Sequence, residues 1–434
     1  MMKEEKKGHI ILTYRLRFYD KHLDWLWQTK ILYNKVVEHY CKLLMEHLEL
    51  LNFGSYDLMR ELEMMSVGTK EMKRNGQIVP YSLHDFPTIP LYFRRAAINC
   101  AISLMRSFQI QNPKAPLSVE GQDLISSRVP VFSVSPVYYK GMYKEITENS
   151  IWLKVFTGER WVWNCYRFSG RPLPKDAVLL SPVICIEKKQ AYLHVPVKKM
   201  VDDIRTVKER IQAGTRILAV SFPGSDSIAV AAVMTWEGGF EKAMFFHGGS
   251  ELKAKRNQLK RRLKKIKRPK MQNEWNEAIG KRYREKIQNI NEYYAHLISR
   301  RILDYCMKQK IKVIVVPKYQ HTIDFSKKQY LETDAYEWIG RKIIRFLKYK
   351  AFSEGILVST VPTIHISDCC SECGAKIKRY NEGHIPNKNY FGGQLFFCPN
   401  GHRGNSGLNT ARNVGKRFFS YYEEWLAEKD EGKE

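Results

Sequence analysis

Acidic side chains are scarce in this 434-residue chain: 45 Asp and Glu stand against 72 Lys and Arg, for a formal charge of +27 and a pI near 9.6. So large an imbalance excludes a self-neutralised surface and argues for a polyanionic partner, nucleic acid ahead of an anionic membrane. Long apolar runs are missing too. No stretch approaches the ~18 residues that a membrane span needs. The apolar piece His9 to Thr13, behind the charged start Met1 to Lys7, is too short for a signal-peptide core. Cysteine is sparse and odd in number. Of nine, four fall between Cys369 and Cys398 and the others are scattered, which is metal-site spacing rather than a disulfide framework. A cytosolic, reduced protein with no membrane partner is the expectation. Internal repeats are absent, and one basic run is the sole biased segment. The remainder is ordinary for a folded protein, with 44% hydrophobic and 12% aromatic residues, and the length suggests two to four domains.

Along the chain the texture changes several times. His9 to Phe18 alternates as a strand does, and Leu23 to Leu51 carries apolar residues at helical spacing. After the prolines of Phe86-Pro-Thr-Ile-Pro, an amphipathic helix with a basic side runs through Arg94, Arg95 and Arg106. Residues 128 to 200 hold short β-branched and aromatic runs between Gly and Pro turns, a small β-barrel pattern. Trp161, Trp163 and Tyr166 fall there, as core or as base-stacking surfaces. From 215 the order becomes a hairpin (Arg216 to Phe222 and Ser227 to Thr235, joined by Pro223-Gly-Ser-Asp226), a long helical region from Ser250 to Gln309, a buried strand Ile311 to Pro317, a helix from about Thr333 to Ser353, and a strand Ile356 to Val361.

Two local motifs carry chemistry. Cys370-Ser-Glu-Cys373 lets two thiolates reach one metal from a tight turn, the knuckle of tetrahedral structural zinc sites. Its second half, Cys398-Pro-Asn-Gly401-His402, puts an imidazole where a second Cys-x-x-Cys is usual, so a Cys₃His zinc site is expected, with Cys369, His384 and His365 as rival fourth ligands. The other motif is the basic run, Lys253 to Lys270, with eleven Lys or Arg and no acid. Leu252, Leu259, Leu263 and Ile266 give it one packing face. Self-repulsion of such a run calls for a polyanion, so Lys253, Arg256, Lys260, Arg261, Arg262, Lys264, Lys265, Lys267 and Arg268, with Arg282 and Arg284 beyond, are candidate nucleic-acid contacts.

The order of the tail, the ribbon cysteines followed at once by Gly407-Leu-Asn-Thr-Ala-Arg-Asn-Val, resembles the end of the TnpB transposon-encoded RNA-guided nucleases and the compact type V CRISPR effectors related to them. The resemblance is strong over about 210 to 417 and weak over 1 to 200. It implies a multidomain α+β chain. A β-barrel wedge domain (1–18 and 128–205) with a helical recognition insertion (19–127) would grip a guide RNA scaffold. An RNase H-like (RuvC) α/β domain (210–365 and 404–425) would carry an inserted zinc ribbon (366–403) and a charged tail (426–434).

Where that family places three metal-binding carboxylates, this chain has Ser221, Pro317 and Gly407. None can hold Mg²⁺, which needs carboxylate oxygens. Asp226 and Asp324 lie five and seven residues further on, too far along an extended chain to substitute. The resemblance therefore implies a bacterial protein of the nucleoid that uses a guide RNA to bind double-stranded DNA without cutting it. It would regulate transcription by occupancy, or by recruiting RNA polymerase, a sigma factor or a transposition protein. The enzymatic rival is a DNase with relocated carboxylates. Structural zinc is the one cofactor implied, with no catalytic magnesium.

Overall fold

A computed structural model of the chain describes residues 8–19, 22–111, 133–174, 177–187, 190–211, 216–236, 239–266, 274–319, 339–383 and 393–431. The expected residues Lys267, Arg268, Asp324 and His384 lie outside these. The chain divides into two compact units, 11–199 in one and 1–10 with 200–434 in the other. Among the described residues no helix is long and apolar enough to cross a membrane.

The first unit is a curled half-barrel sheet with helices packed on it. Its strands are β1 (Gly8–Phe18), β2 (Tyr143–Lys144), β3 (Ser150–Phe156), β4 (Trp161–Ser169), β5 (Val178–Leu179), β6 (Val183–Glu187) and β7 (Gln190–Val201), in the order β2-β3-β4-β1-β7-β5 with β6 also on β7. Alternation sets its inside: Ile151, Leu153 and Val155 of β3 are buried, as are Tyr166 and Phe168 of β4. Against that face lies α1 (Leu23–Glu46), and α2 (Ser55–Val67) and α3 (Leu91–Gln111) complete the same core. The Tyr33 hydroxyl donates to the Ala96 carbonyl (2.9 Å) and its ring meets Phe93 edge-on, which fixes α1 on α3. Thr29 Oγ1 accepts the N–H of Phe156 (2.8 Å) and so ties α1 to β3.

The second unit is three-layered. β8 (Ile217–Ser221), β9 (Ser227–Met234), β10 (Phe240–His247), β11 (Val313–Lys318) and β12 (Leu357–Pro362) form one sheet in the order β10-β9-β8-β11-β12. β8, β11 and β12 are parallel, while β9 runs antiparallel to both β8 and β10. All of β8 and β9 is buried, as expected of strands covered on both faces. One face (Leu218, Val220, Ala231, Val316) packs on α5 (Glu274–Lys308) and α6 (Gly340–Phe352), through Ile298, Ile302, Ile343 and Leu347. The other (Ile217, Ala219, Ala232, Val315) packs on α7 (Ser406–Glu431), through Ala411, Val414 and Phe418. α4 (Gly249–Ile266) leads from β10 and pairs with α5. A small antiparallel sheet of β13 (Lys378–Tyr380), β14 (Leu395–Phe397) and β15 (Arg403–Asn405) lies between β12 and α7 in sequence.

β10 is absent from the sequence expectation. Its residues are mostly exposed and Glu241 and Lys242 break the apolar pattern, as suits an edge strand.

Candidate functional site

Ser221 ends β8 at the carboxyl edge of the parallel strands, where sheets of this kind place their sites. It is 1% exposed. Its hydroxyl donates to the carbonyl of Gly407 in the first turn of α7, at 2.7 Å, across 186 residues of chain. Leu218 pairs with Ile314 and Ala219 with Val315, so the same register sets Pro317 level with Ser221. Hence the three positions singled out in the sequence share one corner of the sheet. The corner is filled: a Cβ built at Gly407 would sit 3.1 Å from Asn405 Oδ1, Pro223 Cγ and Val230 Cγ2 alike.

Nearby Asp226 is occupied elsewhere. Its Oδ1 accepts the N–H of Ser250 (3.3 Å) and its Oδ2 meets His247 Nδ1 (3.0 Å), so it caps α4. Hydrogen bonds from Ser250 and His247 lower its pKa. Among the described residues, the one group of three or more Asp, Glu, His or Cys side chains that could hold a metal ion includes none of the residues of this corner.

That group is Cys370, Cys373, Cys398 and His402, whose ligand atoms all lie within 4.8 Å of one another. Cys373 Sγ is 3.8 Å from Cys398 Sγ, and Cys398 Sγ is 3.3 Å from His402 Nδ1. Two thiolates each ~2.3 Å from a tetrahedral zinc would stand about 3.8 Å apart, so the donor set fits such an ion. The knuckles are built alike. In the first, the Gly374 N–H returns to the Cys370 carbonyl (2.9 Å), and in the second the Gly401 N–H returns to that of Cys398 (3.0 Å). Both glycines adopt positive φ, +74° and +86°, which a side chain resists.

Because Gly401 makes the turn one residue early, the longer imidazole of His402 takes the fourth position. A hydrogen bond from the Ala375 backbone draws the Cys373 thiol down to about 6, while burial pushes Cys370 up. Cys369 is not in the group; its carbonyl receives Asn409 and Asn413 instead. His365 pairs with Asp368 (3.0 Å).

Sequence reasoning missed what the helix after the ribbon does. Asn409, 2% exposed, accepts the Ser371 N–H through Oδ1 and donates through Nδ2 to the Cys369 carbonyl, both at 2.7 Å. Asn413 donates to the carbonyls of Ile366 and Cys369 (3.0 and 2.8 Å), Arg412 pairs with Glu372, and Lys416 reaches the Ser371 carbonyl. Spacing at i, i+3, i+4 and i+7 puts all four on one face of α7, a signal that was legible. The motif docks the metal knuckle on the helix whose other face fills the sheet core.

The basic residues separate by burial. On α4, Lys253, Arg261, Arg262, Lys264 and Lys265 are exposed and Lys260 is half-buried. Arg256 is 7% exposed and donates to Asn291 Oδ1 (2.6 Å), bracing α4 on α5 rather than joining the exposed row. Arg282 and Arg284 are exposed on α5. The arginines of α3 are engaged within the chain: Arg94 and Arg95 both bind the Glu63 carboxylate (3.1 and 3.0 Å), and Arg106 donates to Ser55 Oγ and the Phe53 carbonyl. Of the aromatic candidates, Tyr166 is core with its hydroxyl on the His22 carbonyl, and Trp161 donates to the Thr88 carbonyl and packs on Phe93. Trp163 is 38% exposed.

Comparison with known proteins agrees with this geometry in part. Residues 341–414 match the family model of the Cas12f1-like TNB domain, and residues 10–157 match that of the Aq_aa04 family. No curated protein matches. Among solved structures, the mini-RNA-guided endonuclease CRISPR-Cas_phi3 is similar with a TM-score of 0.51 at 9% identity, over 95% of this chain and 93% of that one. The Cas12f1–sgRNA–target DNA complex gives 0.33 at 14% identity over 93% and 98%, and Alicyclobacillus acidoterrestris C2c1 with single-guide RNA gives 0.44 at 11% over 91% and 70%. Residues 341–414 thus match a Cas12f1-like TNB domain by sequence, and the chain as a whole shares its fold with the CRISPR-Cas_phi3 structure.

Proposed function

We propose that this protein binds DNA under the direction of a guide RNA and does not cleave it. The five-stranded sheet, with its antiparallel hairpin strands beside three parallel strands and helices on both faces, is read as an RNase H-like domain of the RuvC type. Ser221, Pro317 and Gly407 stand in it for the three acids. The wedge (1–18 and 128–205), recognition (19–127), nuclease-like (210–365 and 404–425) and ribbon (366–403) segments keep the layout of that family. Cys370, Cys373, Cys398 and His402 hold a structural zinc with no open position, so it activates no water. Base pairing by the guide reads the target, while the exposed cations of α4 and α5 hold phosphates irrespective of sequence. Occupying a site is enough to regulate a promoter and needs no recruited partner.

One observation carries the reading: the Ser221 hydroxyl closes on the Gly407 carbonyl at the corner where a catalytic metal would sit. The experiment is to purify the protein with its RNA, sequence that RNA, and offer matched duplex DNA with Mg²⁺. Retention of the DNA uncut, dependent on a single structured RNA species, is expected. Guide-dependent nicking would overturn the absence of cleavage, and the lack of any copurifying RNA would overturn guidance. A sigma factor or RNA polymerase pulled down by the complex would replace occupancy by recruitment.

A further inference from the structure

The metal group has an asymmetry that a purely structural zinc does not need. All nine cysteines of the chain fall among the described residues, and Cys373 alone is exposed. Cys370 and Cys398, its partners in the group, are 2% and 3% exposed. A thiol that coordinates a divalent metal is deprotonated, and the thiolate is the form that oxidants attack. Cys373 therefore presents the one solvent-facing thiolate of the chain, with a second thiolate behind it: its Sγ is 3.8 Å from that of Cys398. A disulfide needs about 2 Å, so the two turns have to approach by roughly 1.8 Å to close one.

Movement of these turns has a consequence for α7. The Ser371 N–H and the carbonyls of Cys369 and Ser371, all in the first turn, are the groups that Asn409, Asn413 and Lys416 bind. Ser406, at the start of α7, donates its N–H to the Gln394 carbonyl and its hydroxyl to that of Gly393, both at 2.7 Å. Gly407 follows directly and gives its carbonyl to Ser221. The ribbon thus holds the first turn of α7, and that turn closes the corner of the sheet.

We propose that Cys373 is a site of oxidation by hydrogen peroxide, that Cys398 then closes on it as a disulfide, and that the zinc leaves and frees the first turn of α7. The proposal rests on the reading of Cys370, Cys373, Cys398 and His402 as a zinc site. The Cys373 thiolate attacks one peroxide oxygen, the O–O bond breaks, and a sulfenic acid and a hydroxide result. The Cys398 thiolate attacks the sulfenic sulfur and expels a second hydroxide. Two protons from solvent convert both hydroxides to water, and two electrons have passed from the sulfurs to the peroxide. Cys370 and His402 alone remain to the ion, too few for a closed tetrahedral site. A thiol reductant reopens the disulfide, and zinc then rebinds.

The test uses the zinc-loaded full chain. Hydrogen peroxide is added beside a chromophoric zinc chelator, and the cysteines are followed by differential alkylation and by peptide mapping without reductant. Zinc release, oxidation of Cys373 ahead of every other cysteine, a Cys373–Cys398 linked peptide and faster hydrogen exchange at the start of α7 are expected together. Reductant with added zinc should reverse them. Cys373→His keeps four ligands without the exposed thiolate, so it should hold zinc and slow the peroxide-driven release at least about tenfold. If that variant fails to hold zinc, the order of oxidation in the wild-type chain decides instead. Zinc retained with Cys373 still reduced, first oxidation at another cysteine, a Cys370–Cys373 bridge, or unchanged exchange in α7 after release would each overturn the proposal and leave the zinc reading standing. A chain that binds no zinc would remove that reading and the release with it.

Discussion

Placing an acid in the closed corner separates a filled site from an empty one. Consider Ser221→Asp. The wild-type hydroxyl is 1% exposed and spends its proton on the Gly407 carbonyl at 2.7 Å. A carboxylate there loses that bond and presents a charge to a carbonyl oxygen in an environment shielded from solvent. An uncompensated buried charge costs about 3–5 kcal/mol, whereas Ser221→Ala should lose only about 1 kcal/mol, one hydrogen bond. At roughly 2–4 °C per kcal/mol for a unit of this size, Ser221→Asp should lower the melting temperature by about 6–20 °C and Ser221→Ala by a few degrees. Adding Gly407→Asp deepens the loss. Its Cβ meets three atoms at 3.1 Å, one of them the Asn405 Oδ1 that accepts the Leu408 N–H at the start of α7. The triple variant with Pro317→Glu should still retain guide-matched DNA uncut, and millimolar Mg²⁺ should not raise its melting temperature. Thermal unfolding with and without Mg²⁺, beside a cleavage assay, reads all of this. An acid tolerated at 221 and stabilised by Mg²⁺, through the binding term RT ln(1 + [Mg²⁺]/Kd), would show a site that kept its shape and lost only its ligands, and would refute the closure.

Glu63 holds two guanidiniums at 14% side-chain exposure, so Glu63→Gln should destabilise the helical part of the first unit by about 2–3 kcal/mol in urea unfolding; no change would mean Arg94 and Arg95 have water to fall back on. Elemental analysis should give one zinc per chain, and Cys398→Ala should lose it and open the ribbon to limited proteolysis between β12 and α7; full zinc retention would exclude Cys398 as a ligand. Neutralising Lys260, Arg261 and Lys264 together should weaken binding to every matched target alike and flatten the salt dependence, by up to about 0.9 in log–log slope for each phosphate no longer neutralised; a changed target preference would contradict a phosphate role. Asp203, beside Arg205 and Arg210, has its pKa lowered chiefly by the hydrogen bond from Arg205. Its contribution is complete above the ordinary carboxylate range near ~3.9 and is lost as pH falls through the depressed value. The acid limb of the stability profile should therefore shift to higher pH and shrink in Asp203→Asn, and an unchanged limb would remove Asp203 from it.

What the sequence revealed and what it hid divide along the range of the interactions. The hairpin β8–β9 and the strand β11 are continuous apolar runs, and Cys370-x-x-Cys373 is a turn complete in itself, so each could be read from neighbours alone. The metal group needed only one step more, because Cys398 and His402 share a second turn of the same kind. Partnerships made across the chain were hidden. Arg94 and Arg95 read as a basic helix face until Glu63, some thirty residues earlier, is seen beneath them. Arg256 sits within an acid-free run and is nevertheless buried on Asn291.

The same division runs through the tail motif, which falls within the matched residues 341–414. Asn409, Arg412, Asn413 and Lys416 all bind the ribbon knuckle, and Ala411 and Val414 fill the sheet core; these interactions are structural and would be needed whether or not a metal sits at residue 407. Position 407 itself points into the Ser221 corner and contributes to neither task. An acid there would be a buried charge beside the Gly407–Ser221 hydrogen bond unless a cation neutralised it, so with no bound cation the smallest side chain is the stable choice, while the rest of the motif is fixed by its contacts to the knuckle and the sheet core.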